Sequence, residues 1–283
     1  MAFRKSSAVS LSRPTWFVYG ALAAVLIGSL FPLYYSFLIG SGDASSVTDQ
    51  NLSWIPGGNF FSNASAVLSN PAVNFWKALG NSIIVSTTVA LSTVIFSTIA
   101  GYAFAKLKFK GNSVLLAAVI ATMVVPIQLG VVPLYILMNK FGWTGELGAV
   151  IVPAMVSAFG VFWMTQYLSQ SLPGELLEAA RVDGCNQIRT FWHIAVPAAR
   201  PAAAMLFLFT FVAAWNNFMW PLIILDQSNP TLPLALSLLQ ANFFVDYSLV
   251  LAGVMLATIP LLLLFVFAGR QLVSGIMAGA VKG

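Results

Sequence analysis

Residues 169–200 read SQSLPGELLEAARVDGCNQIRTFWHIAVPAAR, a polar stretch between long apolar segments. It holds six of the chain's 21 acidic and basic residues. Leu172, Leu176, Leu177, Ala179 and Ala180 supply an apolar surface, and Glu175, Glu178 and Arg181 a charged one. That composition predicts a short amphipathic helix, with Ser171 as its cap and Pro173 in its first turn. Asp183-Gly184 then signals a turn. A second helical piece, 185–193, is expected to end before Pro197. The stretch reads as helix, turn, helix at a membrane surface.

The segments around it are membrane-like. Of the 283 residues, 59% are hydrophobic and 7% charged, against about 25% charged in soluble domains. Charge-free intervals at 14–42, 78–105, 111–139, 147–174, 201–225 and 247–269 each supply the roughly 20 residues that cross a bilayer. The expected fold is therefore an all-α polytopic membrane protein of six transmembrane helices, with the helix-turn-helix loop between spans four and five. The long apolar run 16–39 argues for a retained span over a cleaved signal peptide. The interval 50–76 also lacks charge, but Asn, Ser, Gly and Pro fill it, which predicts an extramembrane loop. Within 227–245 the apolar part is short, leaving a partly buried or a re-entrant piece open.

Eleven of the 13 lysines and arginines fall on the side of the termini and the central loop, and only Lys77 and Lys140 on the other. The positive-inside rule then makes both termini and the loop cytoplasmic. The expected organisation is a cytoplasmic segment 1–13, a single transmembrane domain 14–270 that includes the loop 169–200, and a cytoplasmic tail 271–283. The pI near 9.5 reflects this orientation and not a nucleic-acid partner.

Several polar residues lie inside the apolar intervals. Span two carries Ser82, Ser86, Ser92, Thr93, Ser97 and Thr98, which suit either close helix packing or a polar path. Pro126, Gln128 and Pro133 suit a fixed kink or a bend that moves. Asn216 and Asn217 need partners in hydrocarbon, so they serve helix packing or a translocation path or gate. Trp220-Pro221 marks the approach to the outer face. Asn63-Ala-Ser65 is a three-residue match to a glycosylation sequon.

Catalytic and metal patterns do not occur. There is no GxxxxGK[ST] phosphate loop, no GxSxG elbow and no HExxH spacing, and His193 is the one histidine. Cys185, the one cysteine, excludes an intramolecular disulfide and a cysteine metal cluster. No acidic residue lies deep in a span, which argues against a proton-coupled secondary transporter. The chain reads as a non-enzymatic membrane component that moves something and is powered from elsewhere.

Glu178-Ala179-Ala180, three residues, Gly184, nine residues, then Ile194-Ala-Val-Pro197 resembles the EAA loop of ABC importer permeases, with Val196 where leucine is usual. Asn81-Ser82, Gly101-Tyr-Ala-Phe-Ala105, Trp215-Asn-Asn-Phe-Met-Trp-Pro221 and the ending 275–283 are similar to the carbohydrate branch, within it to MalG-type inner-membrane permeases. Asn217 stands where many relatives carry aspartate. The resemblance implies a bacterial inner-membrane subunit paired with a second related permease. Two cytoplasmic ATPases that bind ATP and Mg, and an extracytoplasmic solute-binding protein, would complete the complex. Its ATPase-coupling role maps onto Glu178, Ala179, Ala180, Gly184, Ile194 and Pro197. The two small alanines would permit close docking, Gly184 a bend that a side chain would obstruct, and Glu178 a charged contact. The tail 279–283 is a second candidate for reaching the ATPase. A sugar, a polyol and glycerol phosphate all fit as solute.

Overall fold

The computed structural model describes residues 15–44, 54–240 and 245–280, with side chains as far as Phe267. The segment 1–13 with Arg4, Lys5 and Arg13 lies outside the described residues, as does Lys282.

The first helix, α1 (Trp16–Gly40), is apolar around its circumference, as a lipid-facing span requires. Only its last turn is buried, where Gly40 lies so close to α13 (Tyr247–Ala280) that a β-carbon would sit 2.9 Å from the Ala252 nitrogen. The segment expected as an extramembrane loop contains α2 (Phe60–Ser69). From α2 the Asn63 side-chain nitrogen donates to the Gly40 and Gly42 carbonyls at 3.0 and 2.9 Å. It thereby satisfies carbonyls that the end of α1 releases. Asn63 therefore has a structural role at the end of α1.

The longest fully described helix, α3 (Phe75–Lys106), is the central post. Thr93, Ser97 and Gly101 line one face at four-residue spacing and meet α7 (Ala158–Ser171). A β-carbon on Gly101 would stand 2.6 Å from the Met164 β-carbon and 2.9 Å from backbone atoms of Met164 and Thr165. On the other side of the contact, a β-carbon on Gly160 would collide with the Ser97 hydroxyl. Small residues here let two backbones approach, as in membrane helix pairs generally. Higher on the same helix the polar residues do different work. The Asn81 amide donates to the Pro230 carbonyl (2.9 Å), and the Ser82 hydroxyl accepts from the Leu232 N–H (2.7 Å). These bonds carry α12 (Leu232–Ser237), a buried helix far too short to cross a bilayer.

Three of the remaining spans are interrupted. The third consists of α4 (Asn112–Thr122), a 3-10 turn Ile127–Gly130 and α5 (Val131–Lys140), with an 87° bend. Pro126 explains it, since the residue before a proline is driven out of helical geometry. The fourth, expected as one run, breaks between α6 (Leu147–Ala154) and α7; the Ser157 hydroxyl caps the restart by accepting from the Gly160 N–H. The fifth, α10 (Val196–Trp215), stops at Asn216, and α11 (Met219–Ile224) follows.

Between α7 and α10 lie α8 (Gly174–Val182) and α9 (Gln187–Thr190). Two expectations for this loop are corrected. Ser171 ends α7 and does not cap α8, whose N-cap position is Pro173. Nor does the second piece stop before Pro197. A π turn at Phe191–Ala195 joins α9 to α10, so the helix runs unbroken from Gln187 to Trp215. Pro197, which lacks an N–H and crowds the carbonyl four residues back, stands two residues after this widened turn. At the other end of the chain, α13 continues through position 270 to Ala280.

Among the described residues five helical stretches are long and apolar enough to cross a membrane, and six if the bent third pair counts as one. The protein is an all-α, multi-pass membrane protein.

Candidate functional site

The loop 169–200 forms one compact unit because both of its turns are capped. At the end of α8 the Cys185 N–H bonds to the Ala180 carbonyl (2.9 Å) and the Gly184 N–H to the Arg181 carbonyl (3.0 Å). This is a Schellman cap, and it needs a left-handed residue at Gly184, where φ is +77°. A β-carbon there would meet nothing within 4 Å. Conformation therefore selects glycine, where obstruction of a bend was the expected reason. Two residues on, the Asn186 side chain accepts from the Arg189 N–H (2.9 Å) and starts α9.

The candidate coupling residues divide between two faces. Leu177 and Ala180 are buried, Ala180 only 4% exposed. Leu177 joins Leu168, Leu172, Ala195 and Ala199 in one core with Met164 and Tyr102. Ile194 is half-buried against that core. Glu178, Ala179, Gly184 and Pro197 are exposed. So Glu178, Ala179 and Gly184 share the outer surface of the loop, while Leu177 and Ile194 pack it onto the spans and Ala180 is buried. Of the two alanines expected to permit docking, only Ala179 faces outward.

Asn216 and Asn217 are not in the middle of a helix. Asn216 terminates α10, its backbone and side-chain nitrogens both donating to the Val212 carbonyl (3.1 and 2.9 Å). Asn217 lines a cavity of about 730 Å³, within the range of small-molecule sites. All three span breaks border this cavity, through Ile127 and Gln128, through Ala154 and Ser157, and through Asn217 and Met219. Irregular backbone at membrane depth is tolerated where protein buries it or where it lines a wet cavity. Among the described residues no protein group bonds to the side-chain amides of Gln128 or Asn217, so both are available to a solute. Trp220 closes one wall, its indole N–H fixed on the Ala149 carbonyl at 3.0 Å. Asn216 instead faces a second hollow of about 380 Å³, bordered by α12 and α13. Beyond α11, Asp226 accepts from the Ser228 hydroxyl and N–H, which holds its carboxyl below the ordinary range.

Among the described residues no group of three or more His, Cys, Asp or Glu is placed to hold a metal ion. Sequence reasoning missed Gln128 as a cavity residue and the tether from Asn81 and Ser82. The Asn81-Ser82 pair was visible as a pattern, but its partners lie about 150 positions away.

The model of the family described as binding-protein-dependent transport system inner membrane component matches residues 93–274. The arabinooligosaccharides transport system permease protein of Halalkalibacterium halodurans is 35% identical over 210 residues, covering 74% of this chain and 75% of the relative. The lactose transport system permease protein of Rhizobium radiobacter is 32% identical over 267 residues, 93% and 95% of the two chains. A chain of a bacterial ABC transporter that imports the acidic polysaccharide alginate superposes with a TM-score of 0.73 at 23% identity, over 89% of this chain and 96% of that one. The last likeness is one of fold.

Proposed function

The chain belongs to the family of binding-protein-dependent transport system inner membrane components, and from that membership we propose how it works as the permease subunit of a carbohydrate ABC importer. Within the family we place it in the MalG-type group, on the Trp215–Pro221 pattern and the ending 275–283. Its partners are a second related permease, two ATPases that carry ATP and Mg, and an extracytoplasmic solute-binding protein. It sits in a bacterial inner membrane with both termini and the loop 169–200 in the cytoplasm, as the eleven basic residues on that side favour.

The observation that carries the mechanism is the loop's double construction: an exposed face bearing Glu178 and Ala179, and a buried face continuous with the span core. ATP binding draws the ATPases together and displaces the exposed face. The unbroken helix from Gln187 to Trp215 carries that displacement to the break at Asn216. The cavity then changes its access between the two sides, a two-state transition that nucleotide and solute bias differently.

Gentle solubilisation and purification through a tag tests the assembly. An ATPase, a second multi-span permease and a solute-binding protein are expected among the co-purified chains. Intact recovery without an ATPase, even with nucleotide present, would overturn the reading.

The cavity serves as this chain's part of the solute path. The double substitution Gln128→Leu and Asn217→Leu removes its two unengaged amides. Uptake of the sugar bound by the co-purified binding protein is expected to fall about tenfold, equivalent to one or two hydrogen bonds, at unchanged membrane abundance. Unchanged uptake would exclude the cavity from the path.

A further inference from the structure

The Gly101-Tyr102 pair stands at a junction that the loop mechanism leaves unused. Gly101 brings α3 against the backbone of α7. One residue later Tyr102, 5% exposed, turns toward the loop. Its hydroxyl donates to the Gln187 side-chain oxygen at 3.3 Å, at the first residue of α9. Its ring lies 5.4 Å from that of Phe191, the first residue of the π turn, at an interplanar angle of 55°. Tyr102 also packs in the core that holds Leu177 from α8 and Ala195 from the π turn. One side chain of span two thus touches the second loop helix and the widened turn, and shares a core with the first loop helix.

We propose that Tyr102 is a positioning residue that fastens the coupling loop to span two, so that the loop, α3, α7 and α10 move as one body. The inference rests on the coupling role given to the loop above. The chain already joins the loop to α7 and α10. Lys106 of α3 also donates to the Ser169 carbonyl at the start of the loop (3.0 Å), but it is Tyr102 that bridges both α9 and the π turn. A π turn carries one residue more per hydrogen-bonded turn than an α turn and marks a place where helix register can give. The Tyr102 ring packs against this place, where a push on α9 would otherwise dissipate. Phenylalanine at 102 would keep the ring contact and lose the bond to Gln187; leucine would lose both.

Spin-label distances in the assembled complex test this. Cys185 is replaced by serine so that introduced cysteines alone are labelled. One pair joins Val182 on the loop to Ile95 on α3, and a control pair joins Val182 to Val25 on α1; all three positions are exposed. Adding AMP-PNP with Mg is expected to change the control distance and leave the loop-to-α3 distance unchanged. With Tyr102→Leu the loop-to-α3 distance is expected to shift or broaden on adding nucleotide, and with Tyr102→Phe to stay near the parent. If Tyr102→Leu does not assemble, Phe191→Leu, which removes the ring partner and leaves Tyr102 in place, decides: it is expected to broaden the same distribution. A nucleotide response in the control pair, with the loop-to-α3 distance indifferent to these substitutions, would overturn the role of Tyr102. No response in the control pair would instead remove the coupling reading itself.

Discussion

Gly101→Leu is expected to deplete the permease from the membrane, giving little folded protein and no uptake. The position has no room even for a β-carbon, because two of the nearest atoms are backbone atoms of α7 and cannot swing aside. Accommodating leucine forces α3 and α7 apart along the ladder of Thr93, Ser97 and Gly160. Overpacking a tight core costs about 1–3 kcal/mol and occasionally more, and a backbone obstacle places this site at the upper end. Gly101→Ala adds a single carbon at the same point and is expected to lower the melting temperature by several degrees while leaving a functional protein. Quantitative blotting of membrane fractions and thermal melts in detergent measure both. Wild-type abundance and melting for Gly101→Leu would show that the two helices do not need this approach.

The second large effect separates two neighbours in one motif. Ala179→Trp places a large ring on the exposed face of α8, and Ala180→Trp drives the same ring into the core beside Leu177. The first is expected to leave membrane abundance normal and to cut uptake more than tenfold, because on the proposed docking role of α8 the ring would keep the ATPase from seating. The second is expected to lower abundance, since filling a site that is 4% exposed has no solution short of moving α8. Uptake divided by membrane abundance distinguishes them. Normal uptake in Ala179→Trp would remove α8 from the docking surface. Equal loss of protein in both would show that Ala179 is structural too.

What could be read from residues alone follows from energetics. Charge is expensive in hydrocarbon, so charge-free intervals located the first four spans within a few residues, whereas the fifth helical stretch, Gln187–Trp215, begins and ends well before the interval 201–225. Apolar sequence, however, looks the same whether its helix continues or stops. Asn216 and Asn217 therefore read as mid-span residues, although α10 ends at Trp215. The break between α6 and α7 had only Pro153 and Ser157 to announce it, both unremarkable in a span. Pro126 was legible because proline acts locally, yet its 87° consequence was not. In the loop the Asp183-Gly184 turn was clear, and the division of Ala179 from Ala180 was not. At adjacent positions on a nine-residue helix, which alanine is buried depends on the core beneath. The π turn left no mark in composition. Tyr102 and Gln187 are 85 residues apart, beyond any local pattern.

The bonds from Asn81 and Ser82 to residues 230 and 232 also set a schedule for the ribosome. Span two must enter the bilayer with these two polar side chains before their partners exist, since 149 residues separate Asn81 from Pro230. At about 5–20 residues per second, that interval lasts roughly 7–30 s. Throughout it the nascent chain holds an unpaired amide and hydroxyl in or near hydrocarbon. Any chain truncated before residue 230 keeps them so permanently, a chemical flag by which an incomplete subunit differs from a finished one.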